Sequence, residues 1–351
     1  MAQPGTTSRS VLASIWICLG AAMVAVPVWL GWTRWAVLLN GHPASLLAVI
    51  LCAMGGVVAL AWGLASLLLG GRYDREIEPG EPGRRTNAEL RRRAKWRIAL
   101  AVPALLVCTL TVSVLAWSRP LPAGAVAVSA MRSGGNVRVV DRLTWYELQP
   151  VRKNQAGRTV KPTVGLVFHP GGRVDSRAYA HILRPLAAAG YLVVVLKEPF
   201  GIGLVQANHA ETVLDVHPEI TRWAVGGHSL GGVAAASFAD SHASVKGLLL
   251  YAGYPAGRLT RTDLQVVSVS GSADGLATPA DIAASKADLP ASARFVVVPG
   301  AVHSFFGDYG DQSGDGTPTT PRGTAQAKIV QASQGLMTSL TPRPKPAAKK
   351  R

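Results

Sequence analysis

The stretch Trp223-Ala224-Val225-Gly226-Gly227-His228-Ser229-Leu230-Gly231-Gly232-Val233-Ala234-Ala235-Ala236 decides how the second half of the chain reads. An apolar run of strand type leads in, and a run of tiny residues suited to a helix leads out. Between them, residues 227–231 fit the pattern G-x-S-x-G. With 37 Gly in the chain, the bare pattern carries little weight. Its setting carries more, because a strand–turn–helix sequence projects the serine hydroxyl from a tight, strained turn. Glycine is needed at 227 and 231, where side chains would collide across that turn. A glycine-rich turn without chemistry is the plainer alternative.

Working outward, short β-branched runs alternate with helix-like stretches. Strands are expected at 164–169, 191–197, 223–227, 246–251, 264–270 and 294–298. Helices are expected at 177–189 (ended by Gly190), 206–216, 231–240, 280–286 and 323–340. One or two antiparallel strands are expected within 137–148. Such alternation predicts an α/β domain with a mostly parallel sheet covered by helices on both faces. A connector at 119–124 opens this domain, and 119–342 is long enough for one sizeable core.

A serine hydroxyl attacks only when a base takes its proton and an acid orients the base. On a sheet of this kind the order along the chain is Ser, then Asp or Glu, then His. Asp274 and His303 each follow a predicted strand, at the carboxyl edge where such sheets hold their ligands. Ser229, Asp274 and His303 are therefore the candidate catalytic residues. An oxyanion needs backbone donors. One is expected at Leu230, and the other in His169-Pro170-Gly171-Gly172-Arg173. Pro170 has no N–H, which leaves Gly171 or Gly172. His228 comes before the acid and is disfavoured as base, while His181, His209, His217 and His242 are expected on the surface. Asp308, Asp311 and Asp315 follow His303 too closely to be the acid. Their loop misses the spacing of an EF-hand calcium site.

These residues resemble the α/β-hydrolase superfamily, in particular the small bacterial group known as α/β-hydrolase family 5. Its Pro-Gly-Gly loop with a following Asp-x-x-Ala-Tyr stretch is matched at 170–172 and 175–179. Its Trp-x-Val-x-Gly-His-Ser-Leu-Gly-Gly turn is matched at 223–232, and its Gly-Ser-x-Asp-Gly turn at 271–275. Its histidine segment is similar to 302–312, although Val302 stands where that group usually has Asn. The likeness covers about residues 120–340. It implies an α/β-hydrolase fold and a serine esterase or lipase-like enzyme that needs no metal or organic cofactor. Ser229 and Asp274 are only 45 residues apart, too close for a large cap domain, so an open site is expected.

The first third of the chain reads differently. The whole sequence is 48% hydrophobic and only 16% charged, with a mean hydropathy of +0.24. Soluble domains carry about 25% charged residues. Uncharged apolar runs at 10–33, 43–71 and 98–118 are each long enough to span a bilayer as a helix. Spans are expected at about 11–33, 45–70 and 98–118, within an anchor of 1–118. The first run is too long for a cleaved signal peptide and is read as an anchor. Trp32, Trp35 and Trp117 lie at span ends, where indoles favour the interface. Nine Lys and Arg residues crowd the loop at 72–97, against Arg34 alone between the first two spans. Excess positive charge marks the cytoplasmic side. The N-terminus is then cytoplasmic and the 119–342 domain extracytoplasmic, in a bacterial inner or plasma membrane.

Net charge is +16, but it is spread along the chain and +5 of it lies in the tail 343–351. No basic stripe interleaved with aromatics occurs, so no nucleic-acid partner is expected. The tail reads as solvated, with contact to anionic envelope polymers as its other reading. Cys18, Cys52 and Cys108 all lie in the spans, which leaves 119–342 without a disulfide, a thiol nucleophile or a cysteine zinc site. The expected function is hydrolysis of a carboxylic ester, thioester or amide, on a small molecule or lipid. Two alternatives are an acyltransferase using the same three residues on an envelope lipid or glycan, and a non-catalytic membrane scaffold.

Overall fold

The computed structural model describes residues 4–73, 87–206 and 208–342. The middle of the basic loop (74–86) and the basic tail at 343–351 lie outside the described residues. Contacts divide the chain into two compact units, Met1–Leu38 with Ala44–Arg119, and Leu39–Pro43 with Pro120–Arg351.

In the first unit the three apolar runs form α1 (Pro4–Asn40), α2 (Pro43–Tyr73) and α3 (Asn87–Trp117). These helices overrun the expected spans. α3 begins eleven residues early because Ala, Glu, Leu and Arg there are strong helix formers and nothing breaks the run. α1 changes direction at Arg34, whose φ of −138° and ψ of 19° are not helical. Pro27 and Pro103 both sit inside helices. Small residues bring α1 and α2 together: a β-carbon on Gly56 would lie 2.9 Å from the Gly20 carbonyl oxygen. Large apolar side chains face outward, with Trp32 90%, Leu68 74% and Leu100 71% exposed. Three segments, Ser10–Asn40, Pro43–Leu69 and Ile98–Trp117, are long and apolar enough to cross a membrane, which is compatible with an anchor.

The second unit is built on one eight-stranded sheet: β1 (Val137–Asp141), β2 (Trp145–Pro150), β3 (Val164–His169), β4 (Leu192–Leu196), β5 (Arg222–His228), β6 (Val245–Tyr251), β7 (Gln265–Gly271) and β8 (Arg294–Val298). The spatial order is β1-β2-β4-β3-β5-β6-β7-β8. β3 to β8 are mutually parallel, and β1 and β2 form an antiparallel edge. Its helices are α4 (Ala125–Ala130), α5 (Ala180–Ala188), α6 (His209–Val216), α7 (Leu230–Ser241), α8 (Pro279–Ala284) and α9 (Arg322–Leu340). α4 was not expected, because six residues alternating Ala and Val show no helical period.

Alternate strand residues feed two cores. Leu166 and Phe168 of β3 pack with Ile182 and Leu183 of α5 and Ile329 and Leu336 of α9. Val167 packs on the other face with Val213 of α6 and Ala235, Ala236 and Phe238 of α7. Strands buried on both faces explain the nearly continuous apolar runs. This is an α/β-hydrolase fold. Residues 252–264, between β6 and β7, carry no helix or strand, so no large cap is inserted there. The chain leaves β3 for β4 on one side and returns to β5 on the other, which makes the β3/β5 carboxyl ends a switch point where such sheets bind ligands.

The antiparallel edge carries a buried charge. Glu147 of β2 is fully buried and accepts from Trp145 Nε1 at 2.9 Å, Gln149 Nε2 at 2.6 Å and Arg142 Nε. His217 Nε2 lies 3.5 Å from the same carboxylate. His217 was expected on the surface, but it is buried beside Glu147, a partner 70 residues away in sequence. Burial acts to raise the Glu147 pKa, yet the hydrogen bonds outweigh it and hold the carboxyl down at about 2. The Glu147 bond raises the His217 pKa in turn. A depressed acid stabilises the fold above its ordinary value of 4.5, and this contribution fades as pH falls toward 2. The raised histidine stabilises it below 6.5 and loses that contribution as pH climbs through its folded value. Glu147→Gln is expected to cost on the order of 3 kcal/mol near pH 6. In thermal unfolding of the detergent-solubilised chain, the gap to wild type should narrow below about pH 4. A gap that stays constant down to pH 3 would contradict the assignment.

Candidate active site

Ser229 occupies the turn between β5 and α7 with φ of 52° and ψ of −121°, a left-handed backbone at a non-glycine residue. Such a conformation costs about 1–3 kcal/mol and persists only when the surroundings enforce it. Here the Ser229 amide donates to the Tyr251 carbonyl at 2.9 Å, and the Gly232 amide donates to the Ser229 carbonyl at 2.9 Å. Glycine at 227 and 231 meets the expected requirement. A β-carbon on Gly227 would run into the Gly231 carbonyl, and one on Gly231 into the carbonyls of His169 and Pro170. The hydroxyl makes no cap bond to its own helix.

Two loops further along the same edge, Asp274 follows β7 and His303 follows β8. The His303 Nδ1 lies 2.9 Å from Asp274 Oδ2 and 3.2 Å from Oδ1, and both side chains are buried. Asp274 Oδ1 also accepts the Leu276 and Ala277 amides at 2.8 Å each, which fixes the carboxylate. With Nδ1–H directed at the carboxylate, the neutral ring keeps its lone pair on Nε2. That atom is buried and has no hydrogen-bond partner among the described residues.

Residues 165–327 match the model of the Alpha/beta hydrolase family. The C-terminal unit is an α/β-hydrolase. No curated protein matches the chain. Among solved structures, one named m3DLH is 20% identical, covers 59% of this chain and 99% of its own, and gives a TM-score of 0.45. A putative dienelactone hydrolase from Klebsiella pneumoniae subsp. pneumoniae MGH 78578 is 17% identical, with 60% and 95% covered and a TM-score of 0.42. The dienelactone hydrolase-like promiscuous phosphotriesterase P91 from metagenomic libraries is 17% identical, with 58% and 98% covered and a TM-score of 0.41.

The hydrolase holds the His303 segment with residues that carry no motif. Asp315 accepts the His303 amide at 2.9 Å, the Ser304 amide at 2.8 Å and the Gly316 amide at 2.8 Å. Burial acts to raise the Asp315 pKa, but these amide bonds prevail and lower it. Arg322 of α9 donates to the Ser304 and Gly307 carbonyls, both at 2.7 Å, and lies over the Phe305 ring. Asp308 is engaged by His181 and Gln326. Among the described residues, no group of three or more His, Cys, Asp or Glu side chains is placed to hold a metal ion.

His228 also departs from the role of base. Its Nδ1 lies 2.8 Å from the Tyr179 hydroxyl, and its ring packs on that of His303 with centroids 4.6 Å apart. Burial, then the neighbouring His303 charge, pushes its pKa well below 6.5, so the ring stays neutral. The Gly171 amide donates to the same Tyr179 oxygen at 2.8 Å. The Tyr179 hydroxyl thus links the Gly171 amide to His228 Nδ1. Of the two glycines left open by the sequence, Gly171 has its amide occupied. Gly172 faces Leu230, since a β-carbon there would lie 3.4 Å from Leu230 Cδ2. Leu230 is the first residue of α7, where helix amides have no partner within the helix.

One further histidine departs from its expected place. His209, expected on the surface, is buried and pairs with the Thr144 hydroxyl at 3.1 Å. His169 is fully buried against Glu198 at 2.8 Å, and Glu198 was not singled out in the sequence. His181 is half exposed, as expected. Asp315→Ala removes an ionised acceptor from three amides and is expected to cost about 2–3 kcal/mol. Hydrolysis of a p-nitrophenyl ester should fall with it, by about tenfold or more, since a 1 Å misplacement can cost far more than that. Wild-type turnover in a variant with a lowered thermal midpoint would separate Asp315 from the site.

Proposed function

We propose that the chain is a membrane-anchored serine hydrolase that cleaves a carboxylic ester through an acyl-enzyme on Ser229. The observation that carries this reading is the buried Asp274–His303 pair with an unpartnered Nε2, on the sheet edge that also presents Ser229 from a strained turn. In this account His303 Nε2 takes the Ser229 proton as the hydroxyl attacks the acyl carbon. Asp274 keeps the proton of Nδ1 in place and stabilises the imidazolium that forms. The neutral His228 ring against His303 adds no like charge to oppose it. The oxyanion is received by the amides of Leu230 and Gly172. His303 then returns its proton to the leaving alcohol, and water releases the acid by the reverse sequence.

Two features bear on substrate. No cap crosses the site between β6 and β7, and the turn that follows β4 exposes Leu204 and Val205. Both favour an ester with an apolar acyl group, including one presented by a lipid surface. A strong preference for small, polar soluble esters would count against this substrate class.

Fluorophosphonate labelling of the membrane fraction tests the nucleophile. Wild type should take up label and Ser229→Ala should take up none, with ester turnover reduced by about 10⁴-fold or more. Label retained by a folded Ser229→Ala chain would refute the assignment. The proposed orientation, with a cytoplasmic N-terminus, follows from the basic loop. Alkaline phosphatase fused after Leu340 should be active. Activity of a cytoplasm-dependent reporter at the same point would reverse the orientation.

A further inference from the structure

The oxyanion segment ends β3, and a second turn lies against it. His169 is the last residue of β3, directly before Pro170, Gly171 and Gly172. Glu198 lies two residues beyond β4. Their side chains meet at 2.8 Å, Nδ1 to Oε1, with 0% and 1% exposure. Five residues on, a β-carbon at Gly203 would lie 3.5 Å from both His169 Nδ1 and Glu198 Oε1, so the turn closes over the pair.

A second tie runs alongside the first. The Arg173 amide donates to the Gly201 carbonyl at 2.8 Å, and the Gly201 amide donates to the Glu198 carbonyl at 3.0 Å. A β-carbon on Gly201 would approach Arg173 Cα to 2.8 Å. Arg173 and Phe200 both hold positive φ, 63° and 55°, without being glycine. Two strained residues in two touching turns indicate a geometry imposed from outside each turn. The Glu198–His169 pair stands at the root of both.

Stability alone does not account for this pair. Glu198 Oε2 and His169 Nε2 are buried with no partner among the described residues. The two groups give up hydration and regain one contact, a poor exchange by the usual standard for buried pairs. Its effect is directional: it fixes where β3 ends and where the 170–173 turn begins.

We propose that Glu198 is a positioning residue of the hydrolase site, acting through His169 to aim the Gly172 amide at the oxyanion of the substrate on Ser229. This rests on the serine-hydrolase reading above. Tyr179 holds the Gly171 amide from one side of the turn, and Glu198 holds its root from the other. What Glu198 supplies is an acceptor oxygen at the distance of Nδ1, rather than charge as such.

That distinction gives the test. Glu198→Gln keeps a carbonyl oxygen at the same reach. Glu198→Asp keeps the charge but withdraws it by one methylene, and Glu198→Ala removes both. Losing one oxyanion donor costs about 10²–10³ in kcat, so misaiming one is expected to cost about 10–100-fold. In the detergent-solubilised full chain, hydrolysing p-nitrophenyl butyrate, Gln should stay within about threefold of wild type. Asp and Ala should lose that factor in kcat with KM nearly unchanged. A trifluoromethyl ketone, which forms an oxyanion on the serine, should lose affinity in step with kcat.

Fluorophosphonate endpoint labelling of each variant separates the two readings. Wild type and the Glu198 variants labelled at Ser229, with the order Gln well above Asp, support the proposal. Labelled chains in which Asp equals or exceeds Gln overturn the Glu198 role and leave the serine assignment standing. Absence of label from wild type overturns both. Should the Ala variant fail to fold, the Gln and Asp comparison decides the matter alone.

Discussion

Gly227 and Gly231 approach backbone so closely that neither has room for a β-carbon, and the rest of the active edge depends on that closeness. It lets α7 begin directly after β5, with Ser229 forced into positive φ at the join. The carbonyls of His169 and Pro170 are part of the same contact, so the turn after β3 is packed against the turn after β5. The proposed nucleophile and the proposed oxyanion loop are thereby set by one steric constraint at the switch point of the sheet. The tiny residues of α7 serve the same end, since they let the helix lie against the strands beneath it.

Around that core the loops are braced by polar groups with few alternatives. Asp315 and Arg322 hold the segment of His303 through backbone atoms rather than the ring. Tyr179 ties the 170–173 turn to His228, whose neutral ring lies on His303. The side chains that carry chemistry in this account are thus few. Those that hold them are more numerous and lie far apart in sequence.

That separation explains what was legible beforehand. Each of the six parallel strands was readable from its β-branched run, and so was the place of Ser229, Asp274 and His303 after strands, because these are local patterns. The switch from strand to helix at 228–230 was legible for the same reason. The burial of His209 and His217 was not, because Thr144 and Glu147 reach them from a hairpin some 65–70 residues earlier. Asp315 resembled a member of an acidic loop, and only its bonds to amides 11 and 12 residues upstream reveal its use. The engagement of the Gly171 amide by a tyrosine hydroxyl was not legible either, since that contact has no signature in the glycines themselves. In the first unit, the apolar runs were plain, but helix ends followed propensity rather than span length.

The central claim is a covalent intermediate on Ser229, and trapping it is the most direct test. The full chain would be mixed with a p-nitrophenyl ester, quenched in acid within the first turnovers and digested with trypsin. An acyl adduct is expected on the peptide spanning residues 223–246, localised to Ser229 and absent when His303 is replaced by alanine. Turnover of the ester with no adduct on that peptide, or an adduct on another residue, would contradict it.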